Sequence, residues 1–143
     1  IGSPMMNGNG AKEITQLLLK HRHIGEFENG VLGFSCAMMA QTLKTQQGGI
    51  PRAVRENCTH LILVGKSKDE KATKSIYEEV GKDLTFEEFL KLQDMAINGE
   101  NQHDFLFMDF VPKCNRKKYR KNLDTYITLP SQKCNCKKSN KSQ

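Results

Sequence analysis

The sequence predicts an α/β fold, a parallel sheet with helices packed on its faces. Two observations carry this. Short continuous apolar blocks such as HLILVG and DFLFMDFV have strand length and lack the polar alternation of a half-solvated strand, as expected where both faces are covered. Between them lie stretches with apolar residues at helical spacing, so helix and strand alternate along the chain. At 143 residues the chain suits one compact domain plus a tail.

The elements follow in order. Residues 1–10 (IGSPMMNGNG) read as a scar or turn at a cut edge. Residues 11–23 carry Ile14, Leu17, Leu18 and His21 on one helical face, and Gly25 ends that helix. Residues 31–38 form a continuous apolar run and are expected as a strand inside the sheet. After the polar TLKTQQGG loop, Pro51 opens a short helical turn, where its missing N–H costs nothing. Residues 59–65 are a second buried strand. Residues 69–80 are an amphipathic helix with Ala72, Ile76 and Val80 inward, closed by Gly81.

Thr85 and Glu88 have capping-box spacing and open a further helix with Phe86, Phe89, Leu90 and Ala96 or Ile97 as its apolar face. Residues 104–111 are a third strand and 123–129 a fourth, with the basic turn CNRKKYRKN joining them as a hairpin. The end, SQKCNCKKSNKSQ, has few apolar residues and is expected to be mobile. The domain reading is therefore 11–112 as core and 113–143 as basic hairpin and tail.

Charge is uneven. Residues 113–143 hold ten of the 22 Lys/Arg and only one of the 16 Asp/Glu, leaving the body mildly acidic. Such an asymmetry points the tail at a polyanion, with nucleic acid first. Lys113, Arg116, Lys117, Lys118, Arg120 and Lys121 in the turn, with Lys137 and Lys138 beyond it, are the expected phosphate contacts. A solubilising tail is the plain alternative. No apolar run approaches the roughly 20 residues of a membrane span and no secretory pattern opens the chain, so a soluble intracellular protein is expected.

Several motifs fall short of a known site or allow two readings. Gly65-Lys66-Ser67 follows a strand and precedes a helix, but the first glycine of a phosphate loop would fall at His60, and Leu61 to Val64 lie in the strand. Cys114 with Cys134-x-Cys136 is a poor match to zinc spacing, and reduced thiols are the simpler reading. His21 and His23 have no ligand partner at metal spacing, and Cys36 has no obvious histidine partner. Gln41, closing the 31–38 run, is either a loop-binding amide or a γ-phosphate sensor, and Arg22 either a surface cation or a finger reaching a neighbouring subunit's nucleotide.

Taken together, LLLKHRHIG, GFSCAMMAQ and IPRAVRENCTHLILVG resemble the second half of the FtsK–HerA superfamily, nearest the genome-packaging ATPases of large DNA viruses and virophages. Arg22-His23 matches the family's arginine-histidine helix end, Gln41 its strand-closing glutamine, and Ile50-Pro51, Val54-Arg55 and Asn57 its I-P-x-x-I-R-x-N element. His21 departs from the usual small residue. The likeness covers residues 12–80.

The resemblance implies the C-terminal half of a RecA-like P-loop ATPase core. In it Arg22 is a trans-acting finger, Gln41 a phosphate sensor, and Arg55, near the subunit interface or the sensor strand, a cofactor-binding residue. It also implies ATP and Mg²⁺ as cofactors of the full-length protein, a homo-oligomeric ring, double-stranded DNA as partner, and work in host cytoplasm or at virion assembly sites. Walker A and Walker B should precede this region, and Gly2-Ser3-Pro4 stands where the acids belong, so a chain starting after Walker B, inactive alone, is expected. The alternatives are a non-catalytic nucleic-acid-binding domain with a basic tail and, more weakly, a C-terminal zinc module.

Overall fold

The structure, a computed structural model, describes residues 11–20, 26–27, 30–31, 35–40, 43, 49–67, 69–97 and 101–132. It divides into two compact units, Ile1–Cys58 and Thr59–Gln143.

In the first unit, helix α1 (Ala11–Lys20) realises the expected apolar spacing. Strands β1 (Glu26–Phe27) and β2 (Gly30–Val31) form a small antiparallel pair, with Glu26 opposite Val31. Residues 35–40 have no regular structure and are exposed, Met39 almost completely. The strand expected over 31–38 is thereby corrected: among the described residues of that run only Val31 is paired, and it pairs antiparallel. Helix α2 (Arg52–Glu56) starts after Pro51, whose carbonyl accepts from the N–H groups of Val54 and Arg55.

In the second unit, strand β3 (His60–Val64) leads into helices α3 (Glu70–Val80) and α4 (Phe86–Ala96), and the chain then returns as β4 (Phe105–Asp109). A 3-10 turn (Asn115–Lys117) precedes β5 (Tyr119–Lys121), and β6 (Thr125–Ile127) follows. The sheet order is β3-β4-β5-β6, and every neighbouring pair is antiparallel. This overturns the parallel, RecA-like sheet, and the unit is α+β.

The reason is the number of helices in the connection. One helix between two strands returns the chain to the starting end and makes them parallel. Two helices in series carry it back again to where β3 stopped, so β4 descends beside it. The ion pair between Lys66, just past β3, and Asp94, near the end of α4, marks that shared end.

The helices are held by local chemistry. Asp69 caps α3 by accepting from the N–H of Lys71, and Thr85 and Glu88 make the expected capping box on α4. Gly81 ends α3 where a Cβ would stand 2.6 Å from the Tyr77 ring. That ring is fixed by a hydrogen bond from its hydroxyl to the Leu84 carbonyl and by packing on Phe86 and Phe89. A side chain at position 81 therefore has no room.

Helix α4 buries Phe89, Leu92, Gln93 and Ala96, while Leu90, expected inward, is exposed. These residues meet Leu106, Met108, Tyr119, Ile127 and Leu129 on one face of the sheet, with Leu61 and Leu63 packed at the margin. Each large apolar side chain buried there contributes about 1.5–3 kcal/mol against exposure. Among the described residues no helix is long and apolar enough to cross a membrane.

Candidate nucleic-acid interface

Tyr119 to Lys121, expected as part of a turn, is a strand, and its alternation decides which cations are available. Tyr119 points into the core and is fully buried, with its hydroxyl donating to the Asp83 carboxylate at 3.0 Å. Burial, and then the Asp83 charge, push the Tyr119 phenol well above its ordinary range.

Lys118, expected on phosphate, reaches Asp83 as well, Nζ to Oδ1 at 2.8 Å. Lys121 pairs with the buried carboxylate of Asp104 at 2.8 Å, and Asn122 donates to the same carboxylate at 3.1 Å. Those two partners, Lys121 first, hold the Asp104 carboxyl below its usual value. Asn122 sits at φ 57°, a left-handed conformation that asparagine tolerates, and its side chain also accepts from the Phe105 N–H.

Arg120 lies on the opposite face. Its guanidinium carbon is 5.1 Å from the Phe107 ring centre and 4.8 Å from that of Tyr126, and Nη2 is 3.7 Å from Asp109. A guanidinium held between two rings beside a carboxylate is an internal cation–π arrangement. Half of the six expected hairpin contacts are thus committed within the fold.

The other three behave differently. Lys113, Arg116 and Lys117 are exposed on the β4–β5 connection and have no acidic partner among the described residues. The connection is shaped by Asp109 accepting from the Val111 N–H, by the Lys117 N–H donating to the Cys114 carbonyl, and by the Thr128 hydroxyl donating to the Arg116 carbonyl. Cys114 is buried and disulfide-bonded, which corrects the expectation of a reduced thiol; Cys36 and Cys58 are not in disulfides.

Lys117 lies 5.7 Å over the ring of Tyr126, which is 48% exposed. Tyr126 is a surface residue that the sequence reading missed. Its position opposite Arg120 across the hairpin was the available signal.

The remaining expected residues separate as follows. Arg22, Gln41, Lys137 and Lys138 lie outside the described residues. Arg55, expected near a nucleotide, is half-buried and its guanidinium donates to the Ile50 carbonyl, closing its own helical turn. Among the described residues no three His, Cys, Asp or Glu side chains gather as a metal-binding group. No family model matches the chain, nor does any curated protein or solved structure.

Proposed function

We propose that the second unit is a nucleic-acid-binding module that holds the phosphate backbone through Lys113, Arg116 and Lys117, with Lys137 and Lys138 adding further contacts. The observation that supports it is the sorting of the hairpin cations. Three are neutralised by Asp83, Asp104 and Asp109, while three stand exposed without acids on a loop tied down at both ends. Contacts of that type bind without reading sequence and weaken with salt.

Titration of random-sequence duplex DNA across salt concentrations tests this. Replacing Lys113, Arg116 and Lys117 together by alanine should flatten the slope of log K against log salt by about 2–3, near 0.9 for each lost phosphate contact. A slope unchanged by the triple substitution sinks the proposal. Lys137→Ser with Lys138→Ser separates the contribution of the tail.

A second reading, the C-terminal portion of a DNA-translocating packaging motor, draws on the resemblance over residues 12–80. Helix α1 just before Arg22-His23, and Pro51, Arg55 and Asn57 just before β3, keep the order of the family's pattern. The antiparallel sheet gives this reading no fold support, so motif order alone carries it. In it Arg22 and Gln41 face triphosphates, Arg55 stands nearby, and the protein works in host cytoplasm or at virion assembly sites. The coding sequence upstream is its test: a frame lacking G-x-x-x-x-G-K-[ST] and a strand ending in two acids ends this reading.

A further inference from the structure

Among the described residues no strand pairs with the outer side of β3, which ends the four-stranded sheet. The hydrogen bond from the Phe110 N–H to the Thr59 carbonyl fixes the alternation of the ladder. With the β3–β4 register of Leu61 opposite Met108 and Leu63 opposite Leu106, it turns the backbone groups of Leu61 and Leu63 toward β4. Those of His60, Ile62 and Val64 therefore point outward. The N–H and C=O groups of Ile62 and Val64 have no partner among the described residues.

The side chains at these positions are apolar and open, Ile62 48% and Val64 75% exposed. Proteins ordinarily guard such an edge with a lysine, a proline, a bulge or a very short strand. Here HLILV runs five residues with none of the first three, whereas the opposite edge, β6, is three residues long.

We infer that this edge pairs with the same edge of a second copy of the chain, antiparallel and centred on Ile62. The strand is self-complementary about that residue. With Ile62 opposite Ile62 of the second copy, His60 falls opposite Val64 and Val64 opposite His60. Outward donors then meet outward acceptors at each pair, as a two-fold interface requires. No permanently charged residue lies within the paired segment, so no like charges face each other across the axis. Lys66 falls opposite Cys58, beyond the strand. The union gives one continuous eight-stranded sheet, with the helices of both copies on one face and Ile62 and Val64 covered by their counterparts.

Sedimentation equilibrium of the full chain, in a Cys36→Ser/Cys58→Ser background that removes covalent dimers through those two thiols, tests this from low to high micromolar concentration, with a non-reducing gel to show that no covalent dimer remains. The expected result is a reversible monomer–dimer equilibrium. Ile62→Lys should raise its dissociation constant roughly tenfold or more by setting two like charges directly opposite. Mixing the Ile62→Lys chain with an Ile62→Glu chain should restore association, because position 62 faces itself. Val64→Lys, at a more exposed site opposite His60 of the second copy, gives a smaller weakening, through lost apolar cover at two places in the interface, should Ile62→Lys disturb folding by circular dichroism. A chain that is monomeric throughout, or a dimer indifferent to both lysines, overturns the inference.

Discussion

The two faces of the second unit's sheet are made by the same strands, one residue apart, and they have opposite chemistry. Under the helices, Leu106, Met108 and Tyr119 are fully buried and Ile127 nearly so. On the other side the neighbouring positions, Ile62, Phe107, Arg120 and Tyr126, form a row across the strands with Arg120 stacked between two rings. The first face closes the fold. The second is left open, and holds its one central cation by aromatic packing and a carboxylate. In a strand, side-chain period alone converts a one-step change of position into a change of role.

The largest way to break this contrast is to empty the covered face. Phe89 on α4 is fully buried against the sheet-side core. Phe89→Ala should cost about 3–5 kcal/mol, from lost transfer energy and the cavity left behind. Small domains hold only about 5–15 kcal/mol in total, so the variant's second unit should be close to unfolding at room temperature. Urea denaturation followed by circular dichroism measures it; a loss below about 1 kcal/mol would mean that the helix does not rest where it is placed.

A smaller effect should come from the rim between the faces, where Lys121 and Asn122 meet the Asp104 carboxylate. The folded-state carboxyl titrates below its unfolded value, chiefly through Lys121 and then Asn122. Its contribution is therefore complete above the ordinary carboxylate range and is lost as pH falls through that range toward the folded value. Glu88, also lowered, by the Ser131 hydroxyl and then the Thr85 backbone, has the same sign. Asp104→Asn should be less stable than the natural chain at neutral pH, and the gap should narrow on acidification. Urea midpoints compared at neutral pH and below the carboxylate range give the answer; a gap that widens in acid contradicts the assigned pair.

Much of this unit was legible in the residues. The Thr85–Glu88 spacing located the start of α4, and the apolar blocks located β3 and β4 to within two residues at either end. Both helices between β3 and β4 were legible, and the second reverses the return; pairing direction was lost because the overall alternation of helix and strand points to a parallel sheet unless the helices in each connection are counted. Nor does a run of cations announce which members are already paired. KKYRK reads as a uniformly basic turn until Asp83, Asp104 and Asp109, distant in sequence, are brought beside three of its residues. The 31–38 run shows the same limit from the other side: apolar composition fits a strand, but a strand forms only where another backbone meets it, and residues 35–40 meet none among the described residues.

The smallest expected effect is the sharpest test of the open face. Ile62 is half exposed between two strand residues that point inward, and threonine keeps its β-branching and strand preference while exchanging a methyl-bearing arm for a hydroxyl. At concentrations where the chain is monomeric, Ile62→Thr should change unfolding free energy by no more than about 0.5 kcal/mol, as surface substitutions do. Leu106→Thr, at the position next to Phe107, the cross-strand partner of Ile62, but on the covered face, buries an unpaired hydroxyl and opens a void, and should fall in the range of core losses. Equal losses at positions 62 and 106 would show that the face called open is covered in the folded chain, and both the pairing edge and the exposed aromatic row would then need another explanation.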